Sequence, residues 1–308
     1  MFDPQQDRDT VVISYPGPQV CGGTYATQNV NAPTVIESHE MVLFEATTAL
    51  GGMVSPDPSL MPRFGYVSAF AAPAGSDTFL FLQTRPVYGF NEPDSVSFAL
   101  VKENVFPELD LLVRVHHLSR GNGRHSNTSG LPQNFGGSVN IRYASGEQIS
   151  FSNNQTPVLS PVAANEIADF FAKAIAGEKR PLPSADAIKE IRFSETRKDG
   201  GFTRATLTLN ADGTGTNRKA QCFTPGQVYE SEKPVDAATI DAIKKTVARR
   251  GMFAWSDLPR SEFTLGDEKT MTFVLADGNE ITVTNQKALP SALSGGFFSI
   301  ELELITKH

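Results

Sequence analysis

Ser138-Val-Asn-Ile-Arg-Tyr-Ala-Ser-Gly-Glu-Gln-Ile-Ser-Phe-Ser-Asn153 aligns without a gap on Thr270-Met-Thr-Phe-Val-Leu-Ala-Asp-Gly-Asn-Glu-Ile-Thr-Val-Thr-Asn285, 132 residues further along. Gly146 and Gly278 coincide, as do Ile149 and Ile281, and Asn153 and Asn285. Met271, Phe273 and Leu275 alternate with polar or smaller residues. Asp277-Gly278 then supplies the positive φ of a tight turn, and Ile281 and Val283 resume the alternation. Val139, Ile141, Tyr143, Ser145-Gly146, Ile149 and Phe151 repeat the pattern. Each stretch is a β-hairpin with one face apolar and the other polar.

Two further blocks lie in the same order. Phe44-Glu-Ala-Thr47 through Gly52 falls on Phe193-Ser-Glu-Thr196 through Gly201 at an offset of 149, and Phe64–Ala71 falls on Phe202–Leu209 at 138. The difference of 11 equals the length of Met53–Arg63, which reads as an insertion in the first copy. Gly75 and Gly213 mark the turns of another pair of hairpins, Tyr66–Ala71 with Thr78–Thr84 and Ala205–Leu209 with Thr214–Phe223. Three ordered blocks predict an internal duplication.

Helices fall between and after the hairpins. Asp236 is an N-cap for a helix through Arg250, with Ile240, Ile243 and Val247 on one side and Gly251 as terminator. Its first-copy counterpart begins near Val105, with Leu109, Leu112 and Val113 inward and Gly121 beyond its end. A closing helix runs from Ser160-Pro161 through Ile167, Phe170, Phe171 and Ile175 to Gly177. The second copy's tail, 291–306, fits both periodicities, and the duplication favours helix. The expected fold is therefore α+β: two tandem diverged repeats, each an antiparallel hairpin-built sheet with about two helices packed on it. Residues 1–35 form an N-terminal arm that covers an edge or stays loose, 36–178 the first repeat, 179–187 a linker broken by Pro181 and Pro183, and 188–308 the second repeat.

Composition supports two cores. The chain has 308 residues, beyond the roughly 100–200 of one domain, and 40% are hydrophobic, with 21 Phe, which is enough to offset the ordering entropy. Net charge is −7, with 11 basic and 17 acidic residues in 1–180 against 16 and 17 in 181–308. An acidic surface repels phosphate backbones, so no nucleic-acid partner is expected. The basic group Lys244, Lys245, Arg249 and Arg250 reads as the solvated face of its helix. Cys21 and Cys222 make no disulfide framework and no zinc ligand set, and they read as two buried thiols. No apolar run approaches the roughly 20 residues of a membrane span. Residues 1–10 carry no signal-peptide pattern, so the expected location is cytoplasmic, or secreted or surface-anchored had a leader been removed. Trp255 reads as a core residue.

The capped helix, Phe253 near Trp255, and the strand, Ala-Asp-Gly and strand of Thr270–Asn285 together resemble uncharacterised repeat domains found in proteins of gut-dwelling Firmicutes. The likeness covers 188–306 well and 36–178 less well, since the first copy lacks the Trp and carries insertions. The resemblance implies a fold and no activity.

No phosphate loop, nucleophile elbow or His-Glu-x-x-His is present, and no metal or cofactor is implied. The one concentration of chemical side chains is His116, His117, Arg120, Arg124 and His125, read as a helix end followed by a long loop. Histidine and arginine there could bind an anion or serve a hydrolase, although a histidine at a helix C-terminus is favoured by the dipole alone. The leading expectation is a non-enzymatic module that binds a peptide or protein through loops or sheet edges, with the hydrolase or anion-binding enzyme as the alternative.

Overall fold

Alternating apolar residues need a second layer to cover them, and in this chain helices supply it twice. The computed structural model describes residues 10–15, 24–50, 57, 61–87, 94–129, 136–224, 226–261, 267–289 and 291–307. Two units result, Met1–Arg180 and Pro181–His308, and the fold is mixed α and β with sheet predominating.

In the first unit β1 (Thr10–Tyr15), β2 (Thr24–Asn29), β3 (Met41–Ala49), β4 (Phe64–Ala74), β5 (Asp77–Pro86) and β6 (Ser95–Val101) precede α1 (Phe106–Val115). Next come β7 (Arg124–Thr128), β8 (Gly136–Tyr143), β9 (Gln148–Asn153), α2 (Pro161–Ala176) and the two-residue β10 (Lys179–Arg180). One sheet has the order β1-β2-β7-β9-β8-β3-β4-β5-β6-β10, antiparallel except between β7 and β9. Phe44, Val139, Ile141 and Ile149 on the sheet and Leu109, Val113, Ile167 and Phe171 on the helices form its buried core, with the Phe44 and Phe171 rings 5.8 Å apart. Ser160 caps α2 by accepting from Ala163 N, and Pro161 sits where its missing N–H costs nothing. Of the Met53–Arg63 insertion, only Asp57 and 61–63 lie among the described residues.

In the second unit β11 (Ile188–Thr196), β12 (Phe202–Leu209), β13 (Gly215–Thr224) and β14 (Gln227–Val235) lead into α3 (Ala237–Arg250), followed by β15 (Lys269–Leu275), β16 (Glu280–Thr284) and α4 (Ser291–Leu302). The sheet order is β14-β13-β12-β11-β15-β16, antiparallel throughout. Asp236 accepts from Thr239 N at 2.7 Å, and Gly251, at φ 60°, ends α3. The C-terminal segment is helical, as its periodicity allowed. Trp255 is fully buried in a short 3-10 turn, its indole donating to Arg250 O at 3.1 Å. Cys222 is buried, while Cys21 lies outside the described residues.

The two sheets share a strand order. Read from the late hairpin, β9-β8-β3-β4-β5-β6 in one unit corresponds to β16-β15-β11-β12-β13-β14 in the other. Strand pairing gives two offsets that differ from those of the sequence matches. With the hairpins matched at 132, Val139 falls on Met271. The partners Ala46 and Phe193 then stand 147 apart, and Ala69 and Ala205 stand 136 apart. Each value is two residues short of the offset read from the sequence match. A two-residue slip leaves every side chain on its own face, so apolar patterning could not detect it. At the pairing offset of 147 a bulge at Met41/Leu43 falls on one at Ile188/Glu190. The hydrogen bonds Ala144 N to Glu40 O and Leu50 N to Gly65 O likewise fall on Ala276 N to Ala187 O and Arg197 N to Gly201 O.

Candidate functional site

The sequence gathers His116, His117, Arg120, Arg124 and His125, and the fold disperses them. His116 follows the last turn of α1, and its Nε2 meets Glu166 Oε2 on α2 at 2.9 Å, a pair that ties the two helices together. His117 is exposed in the left-handed region at φ 53° and opens the 3-10 turn Leu118–Gly121 that carries exposed Arg120. The expected long loop is a strand from Arg124 onward, because β2 and β9 give its backbone partners on both sides. Consecutive residues of a strand face opposite ways, so Arg124 and His125 diverge. Burial pushes the His125 pKa below its ordinary value, and the neutral ring shares a 3.0 Å hydrogen bond with Ser152 Oγ. No side-chain hydrogen bond or ion pair joins any two of the five.

Arg124 lines a cleft of about 370 Å³ to which His125 also contributes. The sheet extends through β9, β7 and β2 beyond the ground covered by α1 and α2, whose closest associations are with β3, β4, β5 and β6. On the helix-bearing face, past the helices, strand pairing sets Gln28, Arg124 and Phe151 in one row and Ala26, Ser126 and Asn153 in the next. Gly121, Pro157 and Val158 form its sides. A Cβ at Gly121 would stand 3.0 Å from the Phe151 ring, so the glycine lets backbone lie directly on that aromatic face.

A second constellation escaped the sequence reading. Asp110, 3% exposed on α1, accepts from Arg114 Nε at 2.8 Å and Tyr143 OH at 3.0 Å and pairs with His39 Nδ1 at 2.7 Å. Burial alone would raise this carboxyl's pKa, but the hydrogen bonds from Arg114, His39 and Tyr143 outweigh it and hold it below the ordinary value. The same burial, with the adjacent carboxylate, pushes the Tyr143 hydroxyl upward. Arg114 also donates to Ile36 O and Ser38 O, and Glu147 accepts from Glu37 N and Ser38 N. The group therefore clamps residues 36–39 onto α1 and the β8–β9 turn. The i,i+4 spacing of Asp110 and Arg114 was legible, whereas His39 and Tyr143 arrive from 71 and 33 residues away.

The third feature is an edge. Among the described residues β14 pairs only with β13, and nearly all of it is exposed. At its start Val228 and Tyr229 are 52% and 60% exposed, and Phe223 near the end of β13 is 58% exposed, with the Phe223 and Tyr229 rings 6.5 Å apart and the Arg197 guanidinium 5.2 Å over Phe223. The corresponding edge in the first unit, β6, carries β10 along Leu100 and Val101.

No protein-family model matches the chain, and no curated protein matches it. Among the described residues, no cluster of three or more His, Cys, Asp or Glu is placed to hold a metal ion, and no helix is long and apolar enough to cross a membrane.

Proposed function

We propose that the chain is a non-enzymatic binding protein, descended from one duplicated module, which recognises an extended peptide segment of a partner protein along the free edge of β14. The observation that carries this reading is an edge strand hydrogen-bonded on one side only among the described residues, with Val228 and Tyr229 exposed at its start beside Phe223 of β13. Backbone groups on its open side favour an added strand, and the neighbouring Phe223 and Tyr229 rings favour an apolar anchor on that strand. The duplication is supported by the shared strand order and by bulges and hydrogen bonds at matching positions in the two sheets. Kinship with the repeat domains of gut Firmicutes belongs to the same proposal and rests on the residues quoted for it.

Charge defines the peptide further. Antiparallel pairing of β14 with a second β14 centred on Ser231 would set Glu230 against Glu232 twice, which disfavours self-association. Glu232 is engaged by Arg218 at 2.8 Å, while Glu230 has no ion pair among the described residues. A peptide with a basic residue opposite Glu230 and an apolar residue at the aromatic end fits best.

Selection of a displayed random-peptide library on the immobilised full chain tests this. Enriched peptides should combine those two features and protect β14 amides from hydrogen exchange. Covering roughly half of one exposed aromatic side chain contributes about 1–1.5 kcal/mol, so Tyr229→Ala should weaken binding about tenfold. Enriched peptides indifferent to Tyr229→Ala and Phe223→Ala, or a library with no enrichment, would refute the reading.

A further inference from the structure

We propose that the cleft on β2, β7 and β9 is a binding site for a small aromatic monocarboxylate. The site is separate from the β14 edge and does not depend on it. The observations are a cavity, an apolar lining and a cation with no acidic partner among the described residues. The cavity, about 370 Å³, lies near the lower end of ligand-sized pockets and suits a body of one or two fused rings. Ala26 and the exposed rim of Phe151, a ring otherwise buried under Gly121, form the apolar floor, and Pro157 and Val158 the wall.

Arg124 supplies the charge. Its row places it between Gln28 and Phe151, so one neighbour offers an amide and the other an aromatic surface. The first unit carries 17 acidic residues within 1–180 against 11 basic ones, and its other described arginines are largely paired: Arg63 with Asp169, Arg85 with Asp94, Arg114 with Asp110. Arg124 has no acidic partner among the described residues. A guanidinium left uncompensated beside a concave apolar surface favours an incoming carboxylate, which it can hold through two parallel N–H bonds. Ser126, one row away on the same face, offers a hydroxyl to the same group. A phosphate ester would match the cation but leave the apolar floor unused, and a neutral aromatic would match the floor but leave the cation unused.

The probes are 2-naphthoate and its neutral isostere 2-naphthamide, titrated into the isotopically labelled full chain and followed by amide chemical shifts. A ligand of this size at typical efficiency gives a Kd of about 1 mM. Naphthoate should shift the amides of Ala26, Ser126 and Val158 saturably, and naphthamide should bind about fivefold more weakly, the scale of a partly solvated ion pair. Arg124→Gln should erase the preference for the acid, Arg124→Lys should keep part of it, and Ala26→Phe should abolish both. The unperturbed remainder of each spectrum reports that the variant is folded. Equal affinity for acid and amide in the unsubstituted protein would overturn the proposal, whatever the variants do. So would shifts confined to residues away from these three strands, or an acid preference that survives Arg124→Gln.

Discussion

Replacing Asp110 by Asn isolates the interaction on which the seating of residues 36–39 depends. The change is nearly isosteric and keeps one acceptor oxygen, which can still serve Tyr143. The amide nitrogen then faces two donors, Arg114 Nε and His39 Nδ1, in place of the carboxylate oxygen that met both. Two charge-assisted hydrogen bonds are lost, each about 1.5–3 kcal/mol when buried. His39 is 74% exposed and Arg114 one-third exposed on their side chains, so solvent screening reduces the sum to about 2–4 kcal/mol. In a unit of this size that corresponds to about 4–16 °C in Tm.

The sign of the pH dependence follows from the lowered pKa of Asp110. A carboxyl whose folded pKa lies below its unfolded value contributes stability that is fully present above the unfolded value, about 3.9, and lost as pH falls through the folded one. The gap between the unsubstituted protein and Asp110→Asn should be full at neutral pH and shrink below about pH 4. Urea unfolding followed by far-UV circular dichroism at several pH values measures the gap, and hydrogen exchange locates it in α1 and residues 36–40. A neutral-pH gap below about 0.5 kcal/mol, or one that stays constant through the acid range, would show that the carboxylate does not hold the clamp.

Gly137→Ala should cost more than about 3 kcal/mol or prevent folding, because φ is 153° and the new Cβ would stand 1.8 Å from Thr47 O in the paired strand; near-normal thermal stability would contradict this. Ser160→Ala and Asp236→Ala should each lose about 1 kcal/mol by leaving an N-terminal amide of α2 or α3 without its cap, read from urea midpoints, and Ser160→Asp should restore most of the former loss. Residues 181–308 produced alone should unfold cooperatively with the emission of Trp255, the chain's one tryptophan, shifted to the blue before the transition; solvent-exposed emission in buffer would show that this unit does not close its own core.

The sequence by itself determined what local chemistry decides. Alternation flanking Gly146 and Gly278 specified the hairpins, because one face of each strand must be apolar and the turn needs positive φ. Ser160-Pro161, Asp236 and Gly251 specified helix ends, because capping is a matter of a few adjacent residues. Alternation could not distinguish registers two residues apart, so pairing at 147 and 136 was settled by backbone hydrogen bonds between distant strands. β6 and β14 passed unnoticed, β14 because a largely solvated edge strand such as Gln227–Val235 carries little apolar pattern. β7 is polar along its length and becomes a strand because β2 and β9 lie beside it. That pairing sends Arg124 and His125 to opposite faces, dissolving a cluster that existed only in one dimension, and builds the cleft around the arginine. The clamp on Asp110 has the same origin: a buried carboxylate needs several donors, and chain folding alone brings His39 and Tyr143 to it.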